Sequence, residues 1–166
     1  MKNNALNIPG RRSSLIIMVG LLSLLIAGYL AVPNSALAGG GKNFVQKESK
    51  NNFATTVQKL KKEVSAQKLA LLKDYNTQMM LKMVGVKSSK GMTFAIFHPR
   101  YGKVLNENDP NAFSAVPLRI IIQERGGKVI VGYMKPSAIF ADYDIPKKTK
   151  KELDGLFEKI LNKATN

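Results

Sequence analysis

The chain has 166 residues, 26 of them lysine or arginine against 11 acidic, a formal net charge of +15, and no cysteine. That length suits one domain able to bury its own core without staples. The missing thiol excludes disulfides, thiolate zinc sites, a thiol nucleophile and a lipid-modified cysteine anchor.

Residues 1–14 are polar and hold Lys2, Arg11 and Arg12 without an acid. Leu15 to Val32 is almost wholly apolar, and Pro33, Asn34 and Ser35 then lead into Ala36-Leu37-Ala38 and Gly39-Gly40-Gly41. A basic start, an apolar middle, a helix-ending proline and a small-x-small site are the parts of a secretory signal in their usual order. Residues 1–38 are therefore expected to be a signal peptide, cut after Ala38. The alternative is an uncleaved N-terminal membrane anchor, because the apolar run approaches the length of a spanning helix; residues 15–32 would then be the membrane contact. On either reading the basic flank stays inside and the rest is exported, to a periplasmic or extracellular location. Removing the three early cations leaves 23 basic and 11 acidic residues, a net charge of +12. Such a domain is drawn to anionic surfaces, less so as salt rises. Outside the cytosol an anionic envelope surface or an acidic protein is the expected partner, and no nucleic acid is.

Residues 39–52 read as a glycine leader followed by a first strand at Phe44, Val45 and Gln46, and residues 53–166 as the domain proper. Asn51-Asn52 is a helix N-cap signal. Phe53, Val57, Leu60 and Val64 recur at helical spacing, with Lys59, Lys61 and Lys62 off the stripe. Leu69-Ala70-Leu71-Leu72 reads as a second strand. Met79, Met80, Met83 and Val84 suggest a short helix stopped at Gly85. Met92 to Phe97 reads as a strand apolar on both faces. Leu118 to Glu124 and Val129 to Met134 flank Arg125-Gly126-Gly127-Lys128, where two glycines favour a two-residue hairpin turn. Thr149-Lys150-Lys151-Glu152 has the capping-box pattern. Leu153, Leu156, Phe157, Ile160 and Leu161 then form the apolar face of a last helix. Strands without long helical crossovers predict an α+β fold: an antiparallel sheet of about four to five strands with helices on one face.

Ile96-Phe97-His98-Pro99 with Gly102, Asn108-Asp109-Pro110, Val116-Pro117-Leu118-Arg119-Ile120, Gly127-Lys128-Val129, Tyr133 with Pro136, and Tyr143 follow one another in a familiar order. In these residues the stretch from about Phe53 to Ala164 resembles the domain-of-unknown-function 302 (DUF302) family. The resemblance implies a compact α+β domain of the TATA-binding-protein-like type, often a homodimer, with no established activity. His98 stands where the family usually has asparagine, Tyr75 follows Asp74 where Asp-His is common, and Lys135 replaces the aspartate before Pro136.

No set of residues commits the chain to catalysis. His98 is the only histidine, so a hydrolase-like reading must use it as base, with Asp74 or Asp109 as orienter. Ser65-Ala66-Gln67-Lys68 matches Ser-x-x-Lys without its companion motifs, and Gly39-Gly40-Gly41-Lys42-Asn43 lacks the pattern of a phosphate loop. No cofactor is expected. No metal site is assigned either. Met79, Met80 and Met83 offer soft thioethers of the kind that suit Cu(I), but methionine is also an ordinary core gap-filler. The leading expectation is a non-enzymatic exported binding domain for a small or amphipathic ligand, or for an acidic partner. Its ligand-binding candidates are His98, Arg100, Tyr101, Tyr133 and Asp74. Lys147, Lys148, Lys150 and Lys151, crowded into one helical turn against the helix dipole, are the candidate basic patch of an envelope-associated accessory protein.

Overall fold

The computed structural model describes residues 41–166. The expected signal peptide or anchor at 1–38 lies outside the described residues. Among those described, no helix is long and apolar enough to cross a membrane. The elements run β1 (Phe44–Glu48), α1 (Phe53–Ala66), β2 (Ala70–Asn76), α2 (Thr77–Met83), β3 (Gly91–Phe97), α3 (Pro99–Asn108), a 3-10 helix (Pro110–Ala115), β4 (Leu118–Arg125), β5 (Lys128–Met134), α4 (Pro136–Ile139) and α5 (Lys147–Thr165). Together they make an α+β domain with one five-stranded sheet, ordered β1-β5-β4-β3-β2 and antiparallel throughout.

Alternation along the strands decides the core. Phe94 pairs with Ile120 and Ile120 with Tyr133, while Ile96 faces Leu118 and Ile122 faces Val131. These side chains share a face and all are buried. Leu60 and Val64 of α1 and Leu153, Phe157, Ile160 and Leu161 of α5 complete the same cluster. Both helical stripes read from the spacing thus close on the sheet. The Tyr133 and Phe157 rings meet edge to face at 5.3 Å, tying β5 to α5. β3 is apolar on both faces as expected: Ala95, opposite in parity to Phe94 and Ile96, is only 2% exposed.

The turn chemistry behaves as its residues require. Asn52 accepts the Thr55 amide at 2.9 Å and starts α1. Arg125 pairs with Lys128, so Gly126 and Gly127 alone make the turn, at φ 56° and 78°. Positive φ at both central residues gives the primed turn whose twist matches the strands.

Three expectations change. β1 pairs along its length with β5, so the folded unit begins ahead of Phe53. The stretch between β3 and the hairpin, to which the sequence reading assigned no element, is helical: α3 and the 3-10 helix. The capping box does not form. α5 starts at Lys147 behind Pro146 with no side-chain cap, Thr149 lies within the helix and is buried, and Glu152 turns to Tyr101 instead.

Candidate functional site

β3 delivers His98 to the first turn of α3. The residue is extended, at φ −122° and ψ 114°, and its Nδ1 accepts the Arg100 amide at 3.2 Å. Pro99 follows at the first helical position, where a missing N–H costs nothing. With Nδ1 accepting, the neutral ring carries its proton on Nε2. Tyr101 sets its ring against His98 edge to face at 4.9 Å, and its hydroxyl donates to Glu152 Oε2 on α5 at 3.2 Å. The Arg100 guanidinium stands 3.8 Å from the same carboxylate oxygen. Burial, then the Arg100 charge, lowers the His98 pKa below its ordinary value. Burial, then the Glu152 charge, raises that of Tyr101. Three expected ligand-binding residues are therefore neighbours, and Glu152, which the sequence reading placed in a capping box, joins Arg100 and Tyr101.

The other two candidates lie elsewhere. Tyr133 is buried in the core against Phe157, where desolvation, then Glu158 and Asp154, push its hydroxyl up to about 12. Asp74 sits on the edge strand β2, bonded to Lys61 Nζ at 2.6 Å, and that hydrogen bond holds its carboxyl below the usual range. Asp109 accepts the amides of Asn111 and Asp144. Neither carboxylate thus bonds to His98, whose partners are Arg100 and Tyr101.

Beneath His98, Tyr101 and Gly102 lies a cavity lined otherwise by apolar side chains such as Leu69, Leu105 and Phe140. Its volume is about 20 Å³, room for roughly one water. The ring of Phe97 closes it from one side so tightly that a Cβ on Gly102 would fall 2.4 Å from Phe97 Cζ. A small organic ligand does not fit there.

The four lysines of the α5 start do not act as a unit. Lys147, Lys148 and Lys151 are exposed. Lys150 is half-buried and donates to the Tyr143 carbonyl at 3.0 Å, fastening the preceding turn.

The segment from Leu72 to Val86 is where the surface departs from an ordinary one. Leu72, Tyr75, Met79, Met80, Leu81, Met83, Val84 and Val86 are all exposed, Met83 at 80% and Val84 at 74%. No residue of α2 is buried, so the gap-filler reading of its methionines is overturned. The helix is held only at its beginning. Asn76 accepts the Met79 amide, and Gln78 Nε2 donates to the Ser88 carbonyl at 3.0 Å. Thr77 lies against Gly91, so that a Cβ there would come within 2.3 Å of Thr77 Oγ1. Gly85, at φ 78°, turns the chain back, and the Val86 amide bonds to the Leu81 carbonyl at 2.9 Å. Met79, Met83 and Val86 then share one open groove with Lys82 and Lys87. α2 precedes the first residue of β3 and His98 follows its last. The two regions therefore sit at opposite ends of a strand spanning roughly 20 Å. Among the described residues no three His, Asp or Glu side chains gather as a metal site.

The family model for the domain of unknown function DUF302 matches residues 45–162. The crystal structure of an uncharacterized conserved DUF302 protein from Bacillus stearothermophilus is similar, with a TM-score of 0.69 and 15% identity. The likeness covers 75% of this chain and 99% of that one. At such identity it concerns the fold, and it shows that nearly the whole of that protein is this one unit. No curated protein matches the chain.

Proposed function

The chain belongs to the DUF302 family, and from that premise we propose that it is a non-enzymatic binding domain for an acidic, amphipathic partner outside the cytosol, held at the exposed α2 segment. The observation that carries this reading is a helix with no buried residue and several exposed methyl-rich side chains. Contiguous exposed apolar surface on a small soluble domain marks an interaction site. Lys73, Lys82, Lys87 and Lys90 flank it, and the only acid between Leu72 and Lys90 is Asp74, which Lys61 already engages. Cations around an apolar centre suit a partner that is apolar and anionic together. The His98 cavity, at about 20 Å³, argues against a ligand held in the core.

Methionine methyl resonances test this directly. Titration of residues 41–166 with dodecyl phosphate below its micellar concentration is expected to shift Met79, Met80 and Met83. Met134, exposed beyond the His98 end of β4, serves as the control and is expected to stay in place. Equal movement of Met134, or no movement at the α2 methionines, would end the proposal.

A further inference from the structure

Resting on that reading, we infer that the partner is an anionic lipid bilayer, into whose head-group layer the α2 knob inserts. The knob is built in advance. Asn76 caps it, Gly85 reverses it, and Gln78 clamps the returning segment at Ser88. A preformed tip loses little conformational freedom on docking. Besides Leu81, residues 77–90 contain five methionines and valines, Met79, Met80, Met83, Val84 and Val86, with Lys82, Lys87 and Lys90 and no acid, aromatic or arginine.

That composition favours lipid over protein. Protein hot spots are enriched in Trp, Tyr and Arg seated in shaped pockets, and this tip has none. A fluid acyl layer asks only for apolar side chains, with cations able to reach the phosphates. Lysine does so by laying its methylenes along the apolar surface and extending its ammonium to the interface. The groove shared by Met79, Met83, Val86, Lys82 and Lys87 places both kinds of group on one surface. A short amphipathic element of this make-up lies in the interface plane instead of crossing it. The net charge of +12 outside residues 1–38 adds long-range attraction that salt weakens. The sequence reading of Leu15 to Val32 brings the chain to a membrane by another route, so the test leaves that stretch out.

Residues 41–166 hold the whole core described above, and the Bacillus relative consists of little else, so this unit is the one to use. Sedimentation with vesicles of phosphatidylcholine, with and without equal phosphatidylglycerol, gives partition constants. Binding is expected only to the anionic vesicles. The exposed double substitution Met79→Gln/Met83→Gln, which keeps good helix formers, is expected to weaken it at least about tenfold. Lipids spin-labelled high on the acyl chain are expected to broaden the Met79 and Met83 methyls and leave Met134 sharp. Vesicle binding unchanged in the double variant would overturn insertion and leave only surface charge. Methyl shifts with dodecyl phosphate but no vesicle binding would overturn the bilayer while the binding reading stands; neither response would remove both. Sedimentation velocity showing a dimer that the same double variant dissolves would identify a second copy as the occupant, and would also overturn the inference.

Discussion

His98 shows how one side chain can serve the helix it starts and make it sensitive to acid. Its Nδ1 accepts the Arg100 amide only while unprotonated. Burial and the Arg100 charge hold its pKa below the ordinary 6.5, so the unfolded chain takes up the proton first. The contribution to stability is complete above the unfolded value and is lost as pH falls from there through the lower folded one. Asp74, depressed by Lys61 from 3.8, acts in a separate and more acidic window. Thermal melts are therefore expected to show a fall in Tm from about pH 7 to pH 5 that His98→Asn abolishes, because asparagine caps without titrating. His98→Ala loses the cap and is expected to cost about 1 kcal/mol at pH 7.5. An unchanged pH slope in the asparagine variant would show that His98 is not its source.

At the level of elements, α2 depends on its junctions because it has no core contacts to depend on. The close approach of Thr77 to Gly91 is one of them. Gly91→Ala would press a methyl into the Thr77 hydroxyl, and overpacking of this kind costs about 1–3 kcal/mol. The expected signature is local: faster amide exchange at Met79 to Val84, with the β4–β5 hairpin unaffected. Uniform loss of protection would mean that Gly91 supports the sheet and not α2. Most other elements were legible because their signals are local and agree. The Asn52 cap, the two heptad-like stripes and the Gly126-Gly127 turn each lead to one structure. α3 was not, although Pro99 at a helix start and Tyr101 with Leu105 at i,i+4 were there to be read. Gly102 broke the pattern, and its reason is spatial: the Phe97 ring occupies the place of a side chain. The capping box failed for the opposite reason. Thr149 is buried in the core, and Glu152 has a distant partner, Tyr101. The ligand-site candidates divided in the same way. His98, Arg100 and Tyr101 adjoin in sequence and meet in space, whereas Tyr133 and Asp74 are set apart by strand register. The exposure of Met79, Met80 and Met83 was invisible beforehand, since an apolar run reads the same whether its partner is the core or another surface.

For the molecule as a whole, charge and packing make separate demands. The core closes between one sheet face and α1 with α5, and nothing about it needs 23 cations. The ion pairs among the described residues are exposed or half-exposed: Lys61 with Asp74, Lys128 with Glu48, Lys90 with Glu124, Lys103 with Glu107 and Arg100 with Glu152. Each is of a kind worth roughly 0–1 kcal/mol, and most of the 23 cations stand outside these pairs. A folded unit of this length has a radius of gyration of about 14 Å. At about 10 mM salt the screening length is ~30 Å, so cations on opposite sides repel; at about 150 mM it is ~8 Å, and they do not. Unfolding spreads those charges apart, so low salt favours the unfolded chain. The Tm of residues 41–166 is therefore expected to rise between about 10 and 150 mM sodium chloride, most steeply at the low end. A Tm that falls over this range would mean that the short-range pairs outweigh the net repulsion.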